Sequence, residues 1–207
     1  MKRLAVVGTL SAVALLTATA CGTSSPQPAT PPSNSTSTSS SNATASNSSS
    51  TSATPTTANL TMKVVTGKMD GKKGWPKFEP ADSTLPANAV VTVTIQNYDD
   101  GNAPIPQGDN KVTGTTDGTM TVDGKSDTSV PTANVAHTFT ISSIGLNVPI
   151  PVRSANEKFN TVQFTFKTPS SPTKLDWQCM AACGTGSSGW MGSMATDGWM
   201  KGVLTIQ

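Results

Sequence analysis

The chain is short of almost every side chain on which enzymes rely. Its 207 residues include one histidine, one tyrosine and three cysteines, and only 13% are charged. A single imidazole, His137, leaves no room for a histidine-rich metal site. No carboxylate pair and no serine-nucleophile motif stands out. Asp99 and Asp100 lead into a turn at Gly101, and the run Gly-Thr-Gly-Ser-Ser-Gly from Gly184 to Gly189 has neither the lysine nor the helix of a phosphate loop. No stretch sustains a 3.6-residue apolar period, which argues against a helical domain.

Charge is also missing from most of the N-terminal quarter, where no ionisable side chain occurs between Arg3 and Lys63 apart from Cys21. Lys2 and Arg3, the apolar run Leu4–Leu16 and the small residues Thr17 to Ala20 have the layout of an export signal over residues 1–20. A cysteine directly after Ala18-Thr19-Ala20 resembles a bacterial lipobox, which marks Cys21 for lipidation and implies a lipid anchor in a membrane. Residues 21–58 are almost wholly Ser, Thr, Asn, Ala and Pro. Such a segment buries too little apolar surface to offset the entropy of ordering, so it is expected to be a disordered tether. As a random coil it would hold a domain roughly 35 Å from its anchor. Residues 59–207 remain for one domain. Without Lys2 and Arg3 the basic residues equal the acidic ones, and this balance points to neither a nucleic-acid partner nor a polybasic membrane patch.

What the domain does have is two-residue alternation. Val91, Val93 and Ile95 alternate with threonine and glutamine; His137, Phe139 and Ile141, and Val162, Phe164 and Phe166, do the same. Leu175 and Trp177 lead into Cys179, Leu204 and Ile206 close the chain, and Met62, Val64 and Val65 suggest an opening strand. Six to eight short strands joined by turns predict an all-β Greek-key sandwich. Residues 101–134, rich in Thr, Gly and Asp, are read as a hairpin-bearing insertion.

Sulfur is concentrated at the C-terminal end. Cys179, Met180, Cys183, Met191, Met194 and Met200 fall in one short stretch, and thiols beside thioethers are a ligand set that suits soft copper. A strand ending in Trp177-Gln178-Cys179, a loop, and then "WMKGVLTI" from Trp199 to Ile206 resemble the C-terminal end of a cupredoxin. "AHTFTI" around His137 resembles that family's first ligand strand. Cys179 and Cys183, four residues apart, are similar to the copper A loop in the periplasmic domain of cytochrome c oxidase subunit II. The resemblance implies a copper cofactor held by His137, Cys179, Cys183 and an axial Met200, with Met191 and Met194 as weaker candidates. The second histidine of that pattern is absent, and Ser187 stands four residues after Cys183.

This resemblance implies an exported copper protein that transfers electrons or handles copper, on a lipid anchor near a respiratory-chain protein. It is then not an enzyme, or at most an electron-transfer component of an oxidase. Each residue also has a plainer reading. His137 shares a strand face with Phe139 and Ile141 and fits a core histidine. The methionines pack readily against indole rings, although a glycine-rich loop is expected to leave them exposed. Cys179 and Cys183 in an exported protein equally fit a disulfide stapling a metal-free binding module.

Overall fold

The computed structural model describes residues Thr56 to Gln207, so the expected export signal, the expected lipidation at Cys21 and all but the last three residues of the expected 21–58 tether lie outside the described residues. Alternation of apolar side chains builds eleven strands here, more than expected: β1 (Thr56–Val65), β2 (Lys77–Glu79), β3 (Ser83–Leu85), β4 (Ala89–Asn97), β5 (Met120–Val122), β6 (Lys125–Asp127), β7 (Val135–Ile141), β8 (Leu146–Pro151), β9 (Asn160–Lys167), β10 (Thr173–Gln178) and β11 (Lys201–Ile206). The remaining helical pieces are single 3-10 turns. No helix among the described residues is long and apolar enough to cross a membrane.

The strands form two sheets, in the orders β2-β1-β4-β9-β5-β6 and β3-β11-β10-β7-β8. β1 pairs parallel to β4 and β3 parallel to β11, while the other pairs are antiparallel. The chain leaves the second sheet after β8, adds β9 to the first, and returns as β10 beside β7. This is the all-β sandwich that the alternation predicts. Val91, Val93 and Ile95 of β4 and Val162, Phe164 and Phe166 of β9 pack inward, joining Phe139, Ile141, Leu175, Trp177, Leu204 and Ile206 in one core. Trp177 stacks on Phe139 at 5.2 Å between centroids, and its indole N–H donates to the Ala81 carbonyl at 2.7 Å.

β1 includes Thr56, Thr57 and Ala58 from the end of the segment read as tether, and these continue the parallel ladder against Ala89, Val90 and Val91. Ladder hydrogen bonds come from the backbone, so polar side chains do not end the strand. β8 was not expected, since Asn147, Pro149 and Pro151 break its alternation. Proline is accepted at a sheet edge, and β8 is an edge strand covered by the 101–134 excursion, where Thr113 and Asn147 exchange backbone hydrogen bonds of 2.9 and 3.0 Å. The hairpin expected in that excursion is β5–β6.

Candidate metal centre

Three strand ends converge on His137. On β7 the pairing with β8 skips a residue between Val135 and His137, which leaves Ala136 as a bulge. A bulge re-aims the side chain after it. The His137 ring is thereby fully buried, edge-on to Phe78 at 6.2 Å between centroids. β4 ends at Asn97 and delivers Asp99, whose Oδ2 lies 3.1 Å from His137 Nε2. Asp99 is itself held in place: its N–H donates to Asn97 Oδ1 at 3.0 Å, its Oδ1 accepts from the Gly101 N–H at 3.0 Å, and its carbonyl accepts from the Arg153 N–H at 2.8 Å.

β10 ends at Gln178 and places Cys179 on the other side of the ring. Cys179 Sγ is 4.0 Å from His137 Nδ1 and accepts the Thr138 N–H at 3.4 Å. Its own N–H donates to the Met200 carbonyl at 2.8 Å, and the Met180 N–H donates to Thr138 Oγ1 at 2.7 Å. Cys183 Sγ is 3.8 Å from Cys179 Sγ, and Met194 Sδ is 3.4 Å from Cys183 Sγ. The donor atoms of His137, Cys179 and Cys183 all lie within 4.8 Å of one another. The two cysteines are separate thiols here, so the disulfide of the metal-free reading is not formed in this structure.

The loop after Cys183 explains Met194. Gly184 N–H donates to the Gly189 carbonyl at 2.7 Å, and Thr185 and Met191 exchange two backbone bonds of 3.0 Å, closing a small hairpin. The chain then turns inward through Gly192–Met194. The expectation that this loop leaves its methionines exposed is therefore corrected for Met194, which is 2% exposed, and holds for Met191, at 60%. Glycine makes the closure possible: a Cβ at Gly184 would collide with the Met191 carbonyl and reach 2.8 Å from Met194 Cγ. Met200 is buried in the core, and its carbonyl is what ties it to Cys179. Ser187, the position of the missing second histidine, is exposed. Asp99 is the participant that sequence reading missed, taken there for turn chemistry. No spacing rule links it to a histidine 38 positions on.

Burial opposes a charged imidazole at His137, but the hydrogen bond to Asp99 and the contact with Cys179 outweigh it and push its pKa up to about 9. Burial likewise opposes ionisation of Cys179. Cys183, His137 and the Thr138 N–H overcome this and hold its pKa well below the ordinary thiol value. The neighbouring Cys179 and burial push the Cys183 thiol well up. Asp99 also loses hydration, but its hydrogen bond to His137 keeps its carboxyl below the usual range. The shifts favour the charged imidazole, the Asp99 carboxylate and the Cys179 thiolate over their neutral forms. A soft cation can replace the protons held there.

The donors fit such an ion. Metal–sulfur bonds of about 2.3 Å in a tetrahedral site hold neighbouring donors roughly 3.8 Å apart. The observed separations are 3.8 Å between the thiols, 4.0 Å from Nδ1 to Cys179 Sγ, and 3.4 Å from Cys183 Sγ to Met194 Sδ. Two thiols and a thioether are soft ligands, and imidazole also suits copper, so the set favours copper over magnesium or calcium.

Fold and site together define a two-sheet β-sandwich with a buried imidazole–dithiol–thioether cluster at one end. No family model and no curated protein matches the sequence. Among solved structures, the chain is similar to reduced rusticyanin, 18% identical, covering 74% of this chain and 81% of that one with a TM-score of 0.40. It is also similar to rusticyanin from Thiobacillus ferrooxidans (17% identical, 74% and 79% covered, TM-score 0.39) and to auracyanin B (16% identical, 74% and 91% covered, TM-score 0.34). Rusticyanin is a copper protein.

Proposed function

We propose that the chain is a cupredoxin-like copper protein, exported and lipid-anchored through Cys21, that carries single electrons close to a membrane respiratory complex. The observation that carries this reading is the convergence of His137 Nδ1, Cys179 Sγ, the half-buried Cys183 Sγ and Met194 Sδ in one cluster. Bound copper would supply a one-electron couple. The protein's part is to keep the donors still: Asp99 orients the ring, Thr138 N–H hydrogen-bonds the Cys179 sulfur, and the Gly184–Met191 hairpin holds Met194 against Cys183. Donors fixed on strands and on a loop closed by its own hydrogen bonds reorganise little when the charge of the metal changes. We assign Met194, in place of Met200, as the thioether. One metal ion suits the site better than a copper A pair, because Ser187 offers no imidazole and faces solvent. The anchor and the respiratory setting rest on the lipobox-like sequence at Ala18–Cys21 and on the resemblance of the two-cysteine loop to copper A.

A copper titration of the reduced protein, followed by visible and EPR spectra, tests the reading. About one copper per chain with an intense copper–thiolate absorption supports it. Absence of uptake, or uptake unchanged in His137→Ala, sinks it. Colourless protein that keeps Cu(I) without His137 would indicate copper delivery. The 3.8 Å between the sulfurs also leaves them near enough to oxidise to one another. Thiols in the isolated protein that resist alkylation until reduced, together with no copper, would establish the metal-free, disulfide-stapled module.

A further inference from the structure

Three large apolar side chains are exposed among the described residues: Met69 (55%), Trp190 (37%) and Met191 (60%). All three lie in two loops, residues 66–76 between β1 and β2 and residues 179–200 between β10 and β11. The loops pack on one another. A Cβ at Gly74 would touch Thr185 Cγ2 at 3.6 Å, and one at Gly192 would fall 3.0 Å from Trp75 Cε2. Trp75 meets Trp199 edge-on at 5.1 Å. Three of the chain's four tryptophans therefore belong to this end of the sandwich, and only Trp177 is a core residue.

Cations surround the aromatic rings. Lys72 Nζ stands 3.1 Å from the centre of the Trp75 ring and 5.0 Å from that of Trp199, and Lys77 Nζ stands 5.4 Å from Trp199. Lys68, Lys72 and Lys73 are exposed on the same loop. Of the acids nearby, Glu79 is engaged by Lys63 at 3.0 Å and Lys77 at 3.3 Å, and Asp100 by Arg153 at 2.8 Å, which leaves Asp70 and Glu157 to oppose Lys68, Lys72, Lys73 and Lys158. The neutral balance of the whole domain conceals this local excess.

We propose that these paired loops dock on an anionic phospholipid bilayer. Exposed apolar side chains carried on two loops that pack together mark a contact surface. The composition selects its occupant. Protein interfaces favour arginine and are depleted in lysine, whereas every cation in the 66–76 loop is lysine. Tryptophan beside an ammonium on a flexible stem suits the bilayer boundary, where the ring sits at headgroup level and the ammonium reaches phosphate. Trp190, Met191 and Met69 enter that boundary, while Lys68, Lys72 and Lys73 meet the lipid phosphates. The surface needs no copper.

The test uses the full chain, stripped of metal by a chelator and added to phosphatidylcholine vesicles containing about 30% phosphatidylglycerol, with bromine in the acyl chains. A lipid anchor alone would leave the tryptophans roughly a tether length from the bromines, so quenching of tryptophan fluorescence reads docking and not anchorage. Quenching is expected with the anionic vesicles, and it should vanish in pure phosphatidylcholine and in strong salt. Lys72→Glu with Lys73→Glu should weaken it about tenfold or more. Trp190→Ser with Met191→Ser should abolish it while the unfolding temperature is unchanged. Should that pair fail to fold, the lysine variants, on an exposed loop, carry the test. No quenching with anionic vesicles overturns the proposal, as does quenching indifferent to phosphatidylglycerol or to the lysine reversals.

Discussion

Asp99 and His137 are 38 residues apart in the chain and 3.1 Å apart in space, carboxylate Oδ2 to imidazole Nε2. This contact aims Nδ1 at the thiols, and with a metal bound the proton would stay on Nε2 and leave the Nδ1 lone pair for the ion. Removing the carboxylate in Asp99→Ala should weaken copper binding about 10- to 100-fold. Asp99→Asn keeps an acceptor oxygen and should recover most of the loss. Competition with a chelator of known affinity measures both, and equal affinity in all three proteins would remove Asp99 from the site.

The same pair makes the metal-free protein's stability depend on pH. His137 is raised from its ordinary 6.5 to about 9, so its contribution is complete below 6.5 and is lost as the pH climbs through about 9. Asp99 is lowered from 3.8, so its contribution is present above 3.8 and is lost as the pH falls further. The gap in unfolding temperature between reduced wild type and Asp99→Asn should therefore be widest between 3.8 and 6.5 and should close toward pH 9. Thermal unfolding across this range checks it, and a constant gap would show that the pair does not titrate as described.

Met194 and Met200 separate cleanly by substitution. Both are buried, but Met194 has the sulfur contact to Cys183. Met194→Leu should alter the visible spectrum of the copper-loaded protein. Met200→Leu conserves volume in the core and should cost less than about 1.5 kcal/mol with the spectrum retained. The reverse pattern would restore Met200 as the axial ligand.

Gly184→Ala tests the hairpin. The added methyl meets the Met191 carbonyl and Met194 Cγ, so the loop must open and draw Met194 from Cys183. A loss of about 1–3 kcal/mol in denaturant unfolding is expected, along with weaker copper binding. Unchanged stability would mean that the loop is looser than its hydrogen bonds imply.

Strands were legible where one face is buried and the other wet. β4 alternates without a break from Ala89 to Asn97, and β9 does so from Asn160 to Lys167. β8 was illegible because it is covered on both sides, its burial unbroken from Leu146 to Ile150, and its prolines obey edge position and not pattern. β2 and β3, three residues each, are too short to show a period. At the site, the spacing of Cys179 and Cys183 and the strand position of His137 were readable. Asp99 looked like one more turn residue.

The sequence by itself determined the sandwich, through the two-residue period, and the sulfur-rich chemistry of the C-terminal loop, because residue type sets ligand softness. Tertiary structure alone decided which atoms meet. The bulge at Ala136 turns His137 toward Cys179, the end of β4 brings Asp99 to its far nitrogen, and the glycine hairpin carries Met194 inward while Met191 stays outside. These contacts join three distant segments of chain, around Asp99, His137 and the β10–β11 connection. Their partners are chosen by sheet order and register, which no local pattern encodes.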